Sequence, residues 1–118
     1  MSNIPSCFIY PFTMTRVVDG DTIEGDIDLG FNVHLRKIKV RIIGINCKET
    51  RGEFKEEGIK AADYAEKLLK DKILRLSSHS AKHDNFGRIL ADIFFLDYDG
   101  DYYSFADRMI EDGYAEHY

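Results

Sequence analysis

Over residues 58–70 the hydrophobic period of the chain changes from two to about 3.6, and this one change fixes the class of fold open to it. Ile59, Ala62, Ala65 or Ala61, then Leu68 and Leu69 recur at helical spacing, with Lys and Glu on the opposite arc. Ahead of this helix, β-branched and aromatic residues alternate with polar ones, which predicts strands over 8–18, 22–28 and 34–45. Asp19-Gly20-Asp21 supplies the first tight turn and Gly30 opens the second. In the third strand Ile38, Val40 and Ile42 face the core. Its length predicts a bend, with the strand shared between two parts of a curled sheet. Behind the helix, 72–77 and 89–97 return to strand, and Asp97-Tyr98-Asp99-Gly100 is a hairpin signal. Ser104-Phe105-Ala106-Asp107 resembles a capping box with Asp in place of Glu; it opens a short helix through Phe105, Met109 and Ile110 that Gly113 ends. The order βββαββα is that of a mainly β fold with helices (α+β), a five-stranded OB-fold-like barrel.

At 118 residues the chain has room for one domain, 1–118, and shows no linker, internal repeat or low-complexity run. With 44% apolar and 31% charged residues, disordered and collagen-like classes drop out. Apolar runs such as 88–96 are broken by charge well short of the roughly 20 residues that span a bilayer, so no membrane placement is expected. No signal peptide is visible in 1–8, which predicts an intracellular protein. Cys7 and Cys47 match no zinc spacing and read as free thiols.

The net charge of −5 argues against a polyanionic partner, but the distribution does not. Between His34 and Lys60 eight Lys and Arg stand against four Glu, leaving the rest of the chain at −9. Such a basic region is compatible with a phosphodiester and equally with a solvated amphipathic surface.

Three separated clusters hold the groups that phosphoryl transfer needs. Asp19-Gly20-Asp21-Thr22 puts two hard carboxylates on a turn, where they can approach Ca²⁺ or Mg²⁺; alone it is also ordinary turn chemistry. The stretch from Arg41 to Glu49 places a guanidinium in a mostly apolar strand, followed by Asn46 and a carboxylate, though a lone strand arginine is commonly a surface ion pair. Asp84-Asn85-Phe86-Gly87-Arg88 is a loop that carries a second arginine into the next strand.

Together these pieces resemble the staphylococcal nuclease (thermonuclease) family, from about residue 12 to 115. They are Val17-Val-Asp-Gly-Asp-Thr22, Val40-Arg-Ile-Ile-Gly-Ile-Asn-Cys-Lys-Glu49, Gly58 with its helix, Asn85-Phe-Gly-Arg-Ile-Leu-Ala91 and Met109-Ile-Glu-Asp-Gly-Tyr-Ala115, in the family's order and spacing. The resemblance implies a metal-dependent, calcium-using endonuclease that hydrolyses phosphodiester bonds of DNA or RNA, with Mg²⁺ as another candidate ion. It implies Asp21 as metal ligand and Asp19 as an outer acidic residue of the metal loop. Arg41 and Arg88 correspond to the arginines that grip the phosphate, and Glu49 to the carboxylate that activates water. Planar guanidinium forks suit that task, because they bind two phosphate oxygens and stabilise the extra charge of a five-coordinate phosphorus.

Two departures stand out. Asn46 occupies the position of a second metal-ligating aspartate, and Cys47-Lys48 replaces Thr-Pro. Asn keeps a carbonyl oxygen and loses the charge; a unit charge pair at about 4 Å and an effective dielectric of about 20 is worth about 4 kcal/mol before screening, so weaker calcium binding is expected. The contact implied at Cys47 is its main-chain carbonyl, which any residue supplies. Lys48 either opposes the ion or holds a phosphate. The chain stops at Tyr118, where secreted members continue into a further helix and stacking tyrosines; Tyr114 and Tyr118 either substitute as stacking platforms or cover a small core. A second reading therefore stays open: a catalytically impaired module that binds nucleic acid or protein. An intracellular nuclease of broad specificity would endanger its host, which suggests a phage, mobile-element or tightly regulated setting. His79 and His83 read as solvated loop residues, Phe94-Phe95 and Tyr102-Tyr103 as core and sheet faces, and Asp97, Asp99 and Asp101 as a hairpin tip.

Overall fold

The computed structural model describes residues 8–78 and 87–118. Three long antiparallel strands, β1 (Phe8–Asp19), β2 (Thr22–Gly30) and β3 (Val33–Ile42), lead into β4 (Ile45–Asn46) and helix α1 (Lys55–Leu69). Strands β5 (Leu74–Ser78), β6 (Ile89–Leu96) and β7 (Tyr102–Ser104) follow, then helix α2 (Phe105–Glu111) and β8 (Glu116–His117). The main sheet runs β3-β2-β1-β5-β6-β7, and a parallel pairing of β3 with β6 (Val40 with Ile89, Arg41 with Leu90, Ile42 with Ala91) closes its first five strands into a barrel. The expected five-stranded OB-like barrel is thus the observed one.

Alternation decides what fills it. Val40 and Ile42 are buried and Ile38 packs at the margin, as their period predicts, alongside Ile23, Ile27, Leu76, Ile93 and Phe95 from the other strands. Helix α1 packs on β1 and adds Ala61, Ala65, Leu68 and Leu69, while α2 adds Phe105 and Met109. Each large side chain buried in this way stabilises the fold by roughly 1.5–3 kcal/mol.

The short strands β4, β7 and β8 add to the expected order βββαββα, and further details differ from the sequence reading. The third strand does not run to residue 45: it ends at Ile42, turns at Ile43-Gly44 with Gly44 at φ +83°, and hands Ile45–Asn46 to a separate two-stranded sheet with β8. A positive φ at Gly44 is what lets the chain leave the barrel there. Helix α1 begins three residues early, at Lys55, because Lys55, Glu56 and Glu57 carry no apolar period; Glu56 and Glu57 instead suit the positive end of the helix. Ile59, assigned to the apolar stripe, is 38% exposed, and Gly58 and Ala61 take the inward positions. Phe94 and Phe95 are both buried, Phe95 in the core and Phe94 outside the core cluster.

Local signals were otherwise followed closely. Ser104 caps α2, its Oγ accepting from the Asp107 N–H at 3.1 Å, and Gly113 leaves the helix at φ +80°. The hairpin tip at 97–101 closes through Gly100 N–H to the Asp97 carbonyl and Asp97 N–H to the Asp101 carbonyl. Cys7, His79, His83 and the loop residues Asp84, Asn85 and Phe86 lie outside the described residues.

Candidate active site

Where β1 turns into β2, Gly20 lets the chain tuck beneath both helices: a Cβ there would lie 3.0 Å from Cys47 Sγ and 3.1 Å from the Ala61 Cβ. This seat fixes the height of Asp19 and Asp21. Asp21 is only 7% exposed and is held by its surroundings. Its Oδ2 accepts from the Cys47 N–H (2.8 Å), its Oδ1 from the Thr22 hydroxyl (3.1 Å), and its carbonyl from the Ile42 N–H (2.9 Å). Asp19 Oδ1 accepts from the Thr50 N–H at 3.0 Å, so the two carboxylates together staple the segment after β4 to the first turn.

Arg41 follows from register. It is paired with Thr22, one position past Val40, so strand alternation turns it away from the core and over the Asp19–Asp21 turn. Its Nη1 donates to the Ile42 carbonyl (2.9 Å), while Nη2 lies 3.3 Å from Asn46 Oδ1 and 3.6 Å from Asp21 Oδ2. Arg88 stands immediately before β6, beside the parallel seam, and so reaches the same cavity from the neighbouring strand.

Glu49 depends on helix α1. A Cβ at Gly58 would fall 1.7 Å from the Glu49 carbonyl oxygen, so only glycine allows the helix this close to the segment that carries the carboxylate. Asp19, Asp21, Arg41, Asn46, Cys47, Lys48, Glu49 and Arg88 then line one open cavity of about 380 Å³. Arg51, Glu53 and Phe54 line it as well, and sequence reasoning had not assigned them to the site. Phe54 also receives the Lys48 ammonium over its ring at 4.2 Å. These three lie in a stretch with no period, so no local pattern placed them at the site.

Tyr114 lines an adjoining cavity of about 290 Å³ that shares Asn46, Cys47 and Lys48 with the first. One face of its ring stacks on Tyr64 at 4.3 Å, and the Tyr64 hydroxyl donates to Asp112, tying α1 to the end of α2. Tyr118 is 88% exposed; its N–H donates to the Gly44 carbonyl and its ring stands 5.6 Å from the Arg41 guanidinium.

Burial pushes the Cys47 thiol up to about 12, with the Asp21 carboxylate adding to the effect, so this side chain is an uncharged packing group and no anionic ligand. The groups that the family resemblance assigns to an ion, the Asp21 carboxylate, Asn46 Oδ1 and the Cys47 carbonyl with Asp19 as an outer residue, are all hard oxygens. Their chemistry fits a Ca²⁺- or Mg²⁺-type ion with one carboxylate fewer than a fully anionic set. Among the described residues no group of three or more His, Cys, Asp and Glu is gathered closely enough to hold a metal by itself. No helix among them is long and apolar enough to cross a membrane.

The chain is 30% identical to an uncharacterized protein of Methanocaldococcus jannaschii, an alignment that takes in 89% of this chain and spans 58% of the relative's length. Residues 39–118 match the family described as staphylococcal nuclease homologue, a span that holds Arg41, Asn46, Glu49 and Arg88 and leaves the Asp19–Asp21 turn upstream. With two thirds of its length matched and the barrel closed as described, the chain belongs to the staphylococcal nuclease homologue family.

Proposed function

We propose that the protein is a divalent-cation-dependent phosphodiesterase acting on nucleic acid strands. The observation that carries this reading is the shared cavity: two arginines, the exposed Glu49 carboxylate and the Asp21 and Asn46 oxygens, drawn from the β1–β2 turn, β3, β4, the segment after it and the residue before β6, line one volume. A scaffold has no need of that convergence. Asp21, Asn46 and the Cys47 carbonyl would hold the ion, which when bound supplies positive charge against the phosphate and lowers the pKa of a water.

The chain's own residues do the rest. Arg41 and Arg88 each offer a planar fork to the non-bridging phosphate oxygens and stabilise the charge that builds on a five-coordinate phosphorus. Glu49 takes the proton of the attacking water as its oxygen bonds to phosphorus; one ester P–O bond breaks, and the departing alkoxide is protonated by solvent. Asp21 and Asp19 keep the loop in place through Cys47 and Thr50. Calcium is the expected ion and DNA and RNA are both candidate substrates.

One observation favours a second reading, a module that binds nucleic acid without cutting it. Arg41 Nη2 spans Asn46 Oδ1 and Asp21 Oδ2, so a guanidinium already bridges two of the oxygens a cation would use. A single assay separates the two. Labelled single-stranded DNA and RNA are incubated with the protein in calcium, in magnesium and in chelator. Chelator-sensitive cleavage is expected; binding without cleavage in any ion would sink the phosphodiesterase and leave the module.

A further inference from the structure

Strand β3 carries more positive charge than the cavity uses. Arg36 is spent on Asp26, Nη1 to Oδ2 at 3.1 Å, and His34 faces Asp28 at 3.8 Å. Lys37 and Lys39 are exposed and have no acidic partner among the described residues. For Lys39 the reason is visible. The carboxylate opposite it in register, Glu24, is turned to the neighbouring strand, where Oε2 pairs with Arg16 Nε at 3.0 Å and Oε1 accepts from the Thr15 hydroxyl at 3.2 Å. Asp26, the carboxylate next along β2, is likewise consumed by Arg36 and by the Lys37 N–H at 2.9 Å.

Placement gives these two cations a direction. Lys39 and Arg41 lie two residues apart on the outward face of β3, about 6.7 Å along the strand. That is comparable to the distance between neighbouring phosphates of an extended single strand. Lys37 follows where β3 bulges, with two residues, Arg36 and Lys37, opposing Asp26 and Lys37 at φ +53°. The row Arg41, Lys39, Lys37 therefore starts at the cavity wall and runs away from it along an edge of β3 that, among the described residues, β6 covers only at 40–42.

We propose that this edge of β3 is a backbone track that holds the nucleic acid strand next to the bond in the cavity, with Lys39 and Lys37 each neutralising one phosphate. The occupant is a single strand of DNA or RNA, read by charge and not by base. The proposal rests on the phosphodiesterase reading for what happens at Arg41, but its own content is binding. Each phosphate contact to a single strand contributes about 0.7 to the slope of log affinity against log salt.

The test measures binding of a fluorescently labelled twelve-nucleotide single strand across a salt series, in chelator, for the wild type, Lys39→Gln, Lys37→Gln with Lys39→Gln, and Lys67→Gln. Lys67 is an exposed lysine on α1 that lines neither cavity and serves as the charge-matched control. The expected result is a slope shallower by about 0.7 for the single variant and about 1.4 for the double, with the control unmoved. Equal slopes in all four proteins, or an equal loss in Lys67→Gln, would overturn the track. If the slopes change as expected while no ion supports cleavage, the hydrolytic reading falls and the track stands. A wild type that binds no strand in a salt-dependent way ends the track whatever the protein does to small phosphodiesters.

Discussion

Replacing Gly58 by alanine is the sharpest test of how the candidate site is built. The added carbon would sit 1.7 Å from the Glu49 carbonyl oxygen, 2.2 Å from its carbonyl carbon and 2.8 Å from the Thr50 nitrogen. All three are backbone atoms, so no rotamer change relieves the contact. Ordinary van der Waals contact starts at 3.4 Å, so the helix and the 49–50 segment have to part by about 1.7 Å. Two terms oppose each other. Alanine favours a helix over glycine by about 1 kcal/mol. Overpacking costs about 1–3 kcal/mol, and backbone obstacles put this position at the upper end, about 3 kcal/mol. The net loss is about 2 kcal/mol, or roughly 8 °C in Tm for a domain near this size. Because a displacement of about 1 Å in a positioned group can cost about 10²-fold in rate, turnover is expected to fall by at least that factor at temperatures where the variant is folded. Thermal unfolding followed by circular dichroism, with cleavage of a labelled strand at 25 °C, measures both. A Gly58→Ala protein with wild-type Tm and wild-type turnover would refute the close approach and, with it, the account of how Glu49 is held.

Restoring a carboxylate at Asn46→Asp is expected to shift the calcium dependence of cleavage by about tenfold or more towards lower concentration, a fraction of the about 4 kcal/mol of one unscreened charge pair. The new carboxylate would also attract Arg41 Nη2, now 3.3 Å from that oxygen, which limits the gain; overlapping calcium titrations would show that position 46 does not govern the ion. Glu49→Gln keeps size and packing and removes the proton acceptor, so turnover is expected to drop by roughly 10²-fold with Tm unchanged, and full activity would strip Glu49 of its role. Burial pushes the Asp92 carboxyl up to about 6, against hydrogen bonds from Ser104, Ala106 and Ile93 that favour its charged form. A folded pKa raised above the ordinary carboxyl value of 3.8 means that its stabilising contribution is complete below that pH and is lost as pH rises through about 6. Asp92→Asn is therefore expected to flatten the Tm profile between pH 4 and 7; an unchanged profile would assign the pH dependence elsewhere.

How legible all this was in the sequence depends on whether a residue's role is local. The barrel strands were readable because Ile38, Val40 and Ile42 declare an inward face by alternation, and α2 was readable because Ser104 and Asp107 form a cap within four residues. Arg41 and Glu49 could be picked out from a motif, and Gly58 from its place at the head of the helix. By contrast β4, β7 and β8 are two or three residues long and have no period to detect. The break after Ile42 was hidden for a similar reason: Ile43 and Ile45 continue the apolar pattern, and only pairing with the tail reveals that the chain has left the barrel. Phe54 and Arg51 owe their place beside Lys48 and Glu49 to the way the 50–54 segment folds back, a tertiary fact that no short window contains.

The parallel seam between β3 and β6 bears on when the proposed site is complete. During synthesis Asp21, Arg41 and Glu49 all leave the ribosome before the chain reaches Arg88, yet β3 has no partner on that side until Ile89, Leu90 and Ala91 dock against Val40, Arg41 and Ile42. The same seam brings Arg88, immediately before β6, to the cavity that Arg41 lines. If Arg41 and Arg88 bind phosphate as proposed, a truncated, nascent or partly unfolded chain holds only the first of them, on a strand paired along one edge alone. On the phosphodiesterase reading, completion of the fold acts as a safety catch: the protein arms itself only once its own barrel is shut.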